Sequence, residues 1–210
     1  MNLKEKRKVV FDFDDTLVKS SEEIIRQINN KYNLNKTIDD LTDWNYSSIY
    51  KELKETEVLD LYASQEFFDN VKLNNGAKEF IDKFHSVYKF IVCSKGTKPN
   101  LEKKEKFCDK LFENYDYEFI GLEFNNQKDT KQLNKSCIDF SDCLFCLDDN
   151  VSSLTSINTP KKILIKNYHE FPWNETPINE TNIYVINSFK ELEQICDFDL
   201  KLRNEGIVIG

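Results

Sequence analysis

Short, largely continuous apolar runs recur along the chain: Val9-Val10-Phe11, Phe90 to Cys93, Tyr117 to Leu122, Cys143 to Leu147, Ile163 to Ile165 and Ile183 to Ile186. Strands with one wet face alternate polar and apolar residues. Continuous runs suit strands covered on both faces, as in a parallel sheet. Amphipathic stretches separate them. From Gly76 to Phe84, residues Ala77, Phe80, Ile81 and Phe84 share one helical face. Pro99 to Phe112 opens with a proline suited to a first helical turn, and Ser188 to Leu202 reads as a closing helix. Strands alternating with helices predict an α/β fold, a doubly wound, Rossmann-like parallel sheet.

One segment breaks the alternation. Between Ser20 and Asn75 no strand-like run appears. Ser20-x-x-Glu23 reads as a capping box opening a helix from Ser21 to Tyr32. Further helical patterns lie around Ser47 to Leu53, Thr56 to Ala63 and Gln65 to Asn70. The expected organisation is a core built from residues 1–19 and 76–210, with a small helical insertion over 20–75. The segment Glu170 to Asn182, with Pro172 and Pro177, reads as a loop late in the sheet domain.

Two of the apolar runs end in acids. Val9-Val10-Phe11 leads into Asp12-Phe13-Asp14-Asp15-Thr16, and Leu144 to Leu147 leads into Asp148-Asp149-Asn150. Burying carboxylates at a strand end costs several kcal/mol unless a cation pairs with them. Two parallel neighbours ending this way would bring both clusters to the carboxyl edge of the sheet, where open α/β sheets bind ligands. Oxygen ligands of this kind suit magnesium. A polar turn after an edge strand is the plain alternative for one such end, but not for two. A third run, Phe90 to Cys93, ends in Ser94 followed by Lys95, Gly96 and Thr97. A hydroxyl and free N–H groups there can hold phosphate oxygens, or can simply cap a helix. A lysine ahead of the second acid pair (Lys128, Lys131 or Lys135) could balance a phosphoryl group, though a single lysine is usually a solvated surface residue.

Charge and cysteine content narrow the partners. The 210-residue chain carries a net charge of -8, which suits no long nucleic acid, because phosphate contacts dominate that affinity. No run approaches the roughly 18 apolar residues that span a membrane, and the charged start from Met1 to Lys8 lacks a signal-peptide core. A cytoplasmic, non-membrane protein is expected. Of the six cysteines, Cys93, Cys143 and Cys146 sit in strand-like runs and read as buried small hydrophobes. Cys143 and Cys146 have the spacing of a metal pair, but on a regular strand they point to opposite faces. His85 and His169 belong to no recognisable constellation.

The order of these motifs, Asp-x-Asp-x-Thr, then Ser, then Lys, then Asp-Asp, resembles the haloacid-dehalogenase superfamily. The resemblance spans Val9 to Asn150. It implies a magnesium-dependent phosphohydrolase acting through an aspartyl-phosphate. Asp12 matches the nucleophile and Asp14 the general acid/base. Ser94 matches the phosphate-binding hydroxyl, and Asp148 and Asp149 the metal-binding acids, with Asp149 the direct ligand beside Asp12 and the backbone carbonyl of Asp14. Lys135 matches the conserved-pattern lysine best, with Lys131 and Lys128 as alternatives. The insertion resembles that superfamily's mobile cap, which excludes water on closing. Trp44, Asn100-Leu101-x-x-x-Lys104, Asp148-Asp149-Asn150 and Lys162-Ile-Leu-Ile followed by Trp173-Asn174 are similar to the 5′(3′)-deoxyribonucleotidase branch, where a lysine at the place of Lys104 also meets phosphate. The chain departs from that branch in reading Asp-Asp-Thr after Phe13.

The substrate implied is a small phosphomonoester, such as a nucleoside monophosphate, with a sugar phosphate as the alternative. Trp44, Tyr46 and Phe13 are candidate faces for a nucleobase, although Trp44 could equally fill the insertion's own core. A non-catalytic phospho-acceptor module would also use acids, a hydroxyl and a lysine on a parallel sheet. Asp14 and the insertion argue for turnover instead.

Overall fold

The computed structural model describes residues 6–44, 46, 48–51, 53–123, 134–175 and 182–205. All six predicted strands form: β1 (Arg7–Phe11), β2 (Tyr88–Gly96), β3 (Tyr117–Glu123), β4 (Cys143–Asp148), β5 (Lys162–Ile165) and β6 (Ile183–Ile186). They make one sheet in the order β3-β2-β1-β4-β5-β6, and every neighbouring pair is parallel. The chain runs outward in one direction from β1 and in the other from β4. The crevice between the carboxyl ends of β1 and β4 is therefore the point where such a sheet accepts a ligand.

The continuous apolar runs are explained by burial on both faces. Val9 and Phe11 pack with Phe80, Phe84, Phe145, Phe189 and Leu192 on one side. Val10 packs with Ile91, Cys93, Cys146, Val151 and Leu154 on the other. The first side is covered by α4 (Ala77–Phe84), α5 (Lys98–Leu111) and α7 (Phe189–Asn204), the second by α6 (Val151–Ser156). Three further helices, α1 (Ser20–Tyr32), α2 (Glu55–Tyr62) and α3 (Gln65–Asn70), lie between β1 and α4, with no strand of the sheet among them.

Three local expectations are corrected. Ser20 is the first residue of α1, not its cap: Lys19 holds the N-cap position with no side-chain bond. Ser20 Oγ instead donates to Asp14 Oδ1 at 2.7 Å, and Glu23 pairs with Arg26 and Gln27. The helical pattern around Ser47 to Leu53 is realised as turns at residues 48, 49 and 51, with Ser47 and Glu52 outside the described residues. Cys143 and Cys146 do not face opposite sides. Lys8 pairs with Cys143 but Val10 with Cys146, so β4 carries one extra residue. That bulge shifts the side-chain alternation, and both cysteines join the same apolar cluster as Val10 and Cys93. Cys93, Cys108, Cys143, Cys146 and Cys196 are buried, and all six cysteines are free thiols.

Candidate active site

Asp12 leaves β1 one residue past its end, with its N–H still bonded to Leu147 O of β4 at 2.9 Å. Asp148 ends β4 and Asp149 follows it. The parallel pairing of β1 and β4 thus brings the two acid clusters side by side. Asp12, Asp148 and Asp149 each offer a carboxylate oxygen, and these lie within 4.8 Å of one another. All three residues are buried.

Lys135 bridges two of them, donating to Asp12 Oδ1 at 2.5 Å and Asp148 Oδ2 at 2.6 Å. It sits on a single 3-10 turn, Lys135–Cys137, that contacts α6. Lys128 and Lys131, the alternatives to it, lie outside the described residues. Burial works against the Lys135 charge, but Asp12 and Asp148 outweigh it and hold the ammonium well above the usual lysine range. Burial raises Asp12 to about 7; Lys135 opposes this, while Asp148 and Asp14 add to it. Asp149 is pushed well up by burial and then by Asp15, Asp148 and Asp12. One buried ammonium among this many buried carboxylates leaves negative charge uncompensated. The donors are all hard oxygens, with no imidazole or thiolate among them. This chemistry fits a magnesium ion.

The remaining acids have other partners. Asp14 accepts from Ser20 at Oδ1 and from Lys104 at Oδ2. Lys104 lies on the buried stripe of α5 with Leu101 and Cys108, an isolated charge on an apolar face. Its ammonium also donates to Ser94 Oγ at 2.9 Å and to Lys95 O at 3.2 Å. Ser94 is fully buried on β2 behind this lysine. Gly96 keeps α5 close to the strand: a Cβ there would lie 2.2 Å from Asn100 Oδ1. Asp15 adopts a left-handed φ of 51°. It accepts from Ser21 N at 2.8 Å, from Ser21 Oγ at 2.6 Å and from the Tyr168 hydroxyl. Asn74 clamps the same turn, donating to Asp15 O and Thr16 O at 3.0 and 2.7 Å.

These groups line a cavity of about 480 Å³. Its floor holds Asp12, Asp14, Lys104, Lys135, Asp148 and Asp149, and its far wall includes Trp44, Tyr46, Glu55, Val58, Leu59 and Tyr62 from the segment before β2. Trp44 is 60% exposed and fills no core. Tyr46 is buried, its hydroxyl tied to Ser21 Oγ at 3.0 Å and Tyr62 OH at 2.7 Å. Phe13 presents no face to a base. It is fully buried against Phe107, with the Lys104 ammonium over its ring, because it occupies the inward position between two outward acids.

Sequence reasoning assigned no role to Asp15, Ser21 or Tyr168, and named Trp173 and Asn174 only as part of the family resemblance. Asp15 and Ser21 lie inside segments it singled out, but Asp15 also accepts from Tyr168, 153 positions away. Trp173 Nε1 donates to Asp149 Oδ2 at 2.6 Å, and Asn174, fully buried, donates to Asp149 O. No local pattern marks Tyr168 as a partner of the first strand's loop.

No family model matches the chain, and no curated protein does. Solved structures do resemble it. A haloacid dehalogenase-like hydrolase from Streptococcus pneumoniae aligns over 93% of this chain and 100% of its own, with a TM-score of 0.57 at 14% identity. The HAD-hydrolase YfnB from Bacillus subtilis, a structure bound to magnesium, aligns over 91% and 99%, with a TM-score of 0.58 at 15% identity. CbbY from Rhodobacter sphaeroides, in complex with phosphate, aligns over 90% and 96%, with a TM-score of 0.53 at 14% identity. Together with the acid cluster at the switch between β1 and β4, these likenesses establish that the chain has the α/β fold of the haloacid dehalogenase-like hydrolases.

Proposed function

We propose that this protein is a magnesium-dependent phosphomonoester hydrolase of the haloacid-dehalogenase superfamily, with Asp12 as its nucleophile. The observation that supports this most is the convergence of Asp12, Asp148 and Asp149 within 4.8 Å at the floor of a cavity. Asp12 and Asp149 are the residues that would hold the ion, with Asp148 beside them engaging Lys135. When bound, magnesium would offset the charge on the phosphate oxygens and on the acids facing them.

The chain's own residues account for the rest. Lys135 grips Asp12 by Oδ1, which leaves Oδ2 to attack phosphorus in line as the bond to the leaving oxygen breaks. Lys104 meets the phosphate, and Ser94 acts on it through that lysine, whose ammonium it holds. Both oxygens of Asp14 accept bonds as the site stands. A phosphate drawn to Lys104 competes for that ammonium, and Asp14, having taken up a proton from solvent, gives it to the leaving oxygen. Asp14 then takes one from the water that cleaves the aspartyl-phosphate. Residues 20–75 act as a cap over this chemistry, and their aromatic wall receives the leaving group.

The substrate proposed is a nucleoside monophosphate. Trp44, exposed at the cavity wall, is the one aromatic face among the three candidates that is open to a base. Stacking on it would be worth roughly 1–3 kcal/mol. The test is a panel of deoxynucleotides, sugar phosphates and β-glycerophosphate, with magnesium or with chelator. Turnover is expected only with magnesium. Trp44→Ala should raise KM for nucleotides about tenfold while leaving β-glycerophosphate unaffected. Activity on sugar phosphates alone would remove the nucleotide reading, and turnover in chelator would remove the metal.

A further inference from the structure

Each carboxylate of the cluster already has at least one oxygen occupied by the protein. Lys135 takes Asp12 Oδ1. Asp148 has both oxygens engaged, Oδ1 by Asn150 N at 2.9 Å and Oδ2 by Lys135 and by Ser153 Oγ at 2.8 Å. Trp173 Nε1 takes Asp149 Oδ2 at 2.6 Å, and among the described residues Oδ1 has only a long contact to Thr16 Oγ1 at 3.4 Å. Trp173 is itself held. Its ring stacks on Phe171 with centroids 4.4 Å apart and planes within 8°, and its neighbour Asn174 bridges Phe171 N and the Asp149 backbone.

This matters for which ion the cluster takes. Calcium favours six to eight oxygens and often uses both oxygens of one carboxylate. Magnesium takes six ligands at short distance, commonly one or two carboxylates through single oxygens, and keeps several waters. We propose that Trp173 is a positioning residue that restricts Asp149 to one ligating oxygen and thereby makes the cluster select magnesium over calcium. The proposal rests on the reading of Asp12 and Asp149 as metal ligands.

Trp173→Phe removes the indole N–H and keeps an aromatic ring over Phe171. Calorimetric titration with Mg2+ alone and with Ca2+ alone would measure both affinities in the wild-type protein and in this variant. Losing a partner that orients a ligand typically weakens metal binding 10- to 100-fold. The expected result is Mg2+ binding weakened about tenfold, Ca2+ binding unchanged or tighter, and a calcium-to-magnesium Kd ratio lowered by at least that factor. An unchanged ratio in a variant with wild-type unfolding temperature would overturn the proposal. Failure of the wild-type protein to bind Mg2+ would overturn the site reading itself. A second measurement needs no folded variant. In the Mg2+-loaded protein the Trp173 indole proton should exchange with solvent far more slowly than that of exposed Trp44, as followed by NMR. Equal exchange rates would mean that Asp149 Oδ2 is not held, and the proposal would fall.

Discussion

Replacing Asp12 by Asn will abolish turnover, by at least about 10⁴-fold in kcat, equivalent to about 5 kcal/mol of transition-state stabilisation. The amide is close in shape to the carboxylate but cannot form the aspartyl-phosphate. The variant should still fold, because Lys135 keeps Asp148 as its partner at 2.6 Å and the Asp12 N–H bond to Leu147 O does not involve the side chain. Steady-state rates on the best substrate of the panel, beside a thermal unfolding curve, check both halves. Residual turnover near the wild-type rate in a folded variant would show that another group attacks phosphorus.

The second large effect concerns Lys135→Met. Lys135 is 8% exposed and is the ammonium between Asp12 and Asp148. Removing one partner of a buried ion pair costs about 3–5 kcal/mol, because the other charge stays buried. For a chain of this size that is a fall in Tm of roughly 6–20 °C in chelator at pH 8. The loss should shrink as pH falls. Asp12 has its folded-state pKa raised to about 7 even with Lys135 present. A carboxyl raised in the folded state binds its proton more readily there than in the unfolded chain. Stability therefore drops as pH climbs from the unfolded value near 4 through the folded one, and returns on acidification. Thermal scans in chelator at pH 5 and pH 8 should show a clearly smaller gap between variant and wild type at pH 5. A gap that widened toward pH 5 would contradict the charge assignment. The loss in kcat should approach 10³-fold, since the lysine fixes the attacking group.

Much of the sheet was legible because its signal is local. A buried parallel strand must be apolar on both faces, so Val9 to Phe11 and Cys143 to Leu147 announce themselves without any partner. The acids Asp12 and Asp148 were legible for the same reason, as charges at the ends of such runs. The helix α4 followed from periodicity and α5 from the proline at its first turn, while Lys104 was reached only through the family resemblance.

What escaped depends on contacts across the chain. The bulge in β4 leaves no mark between Cys143 and Cys146, because an extra buried residue looks like any other in an apolar run. Ser20 carries a good capping residue's side chain, but Asp14 six residues earlier wins its hydroxyl once the turn folds. Phe13 looked available beside two acids, yet strand alternation turned it into the core. Trp173 and Tyr168 reach Asp149 and Asp15 from a late loop, and only the assembled sheet brings them there.

Chemical trapping tests the central claim most directly. Protein quenched during turnover with substrate and Mg2+, then reduced with borohydride, converts an aspartyl-phosphate to homoserine, which peptide mass spectrometry locates. The expected result is homoserine at position 12, lost when Mg2+ is withheld. Conversion at position 14 or 149 instead, or none during sustained turnover, would contradict an attack by Asp12.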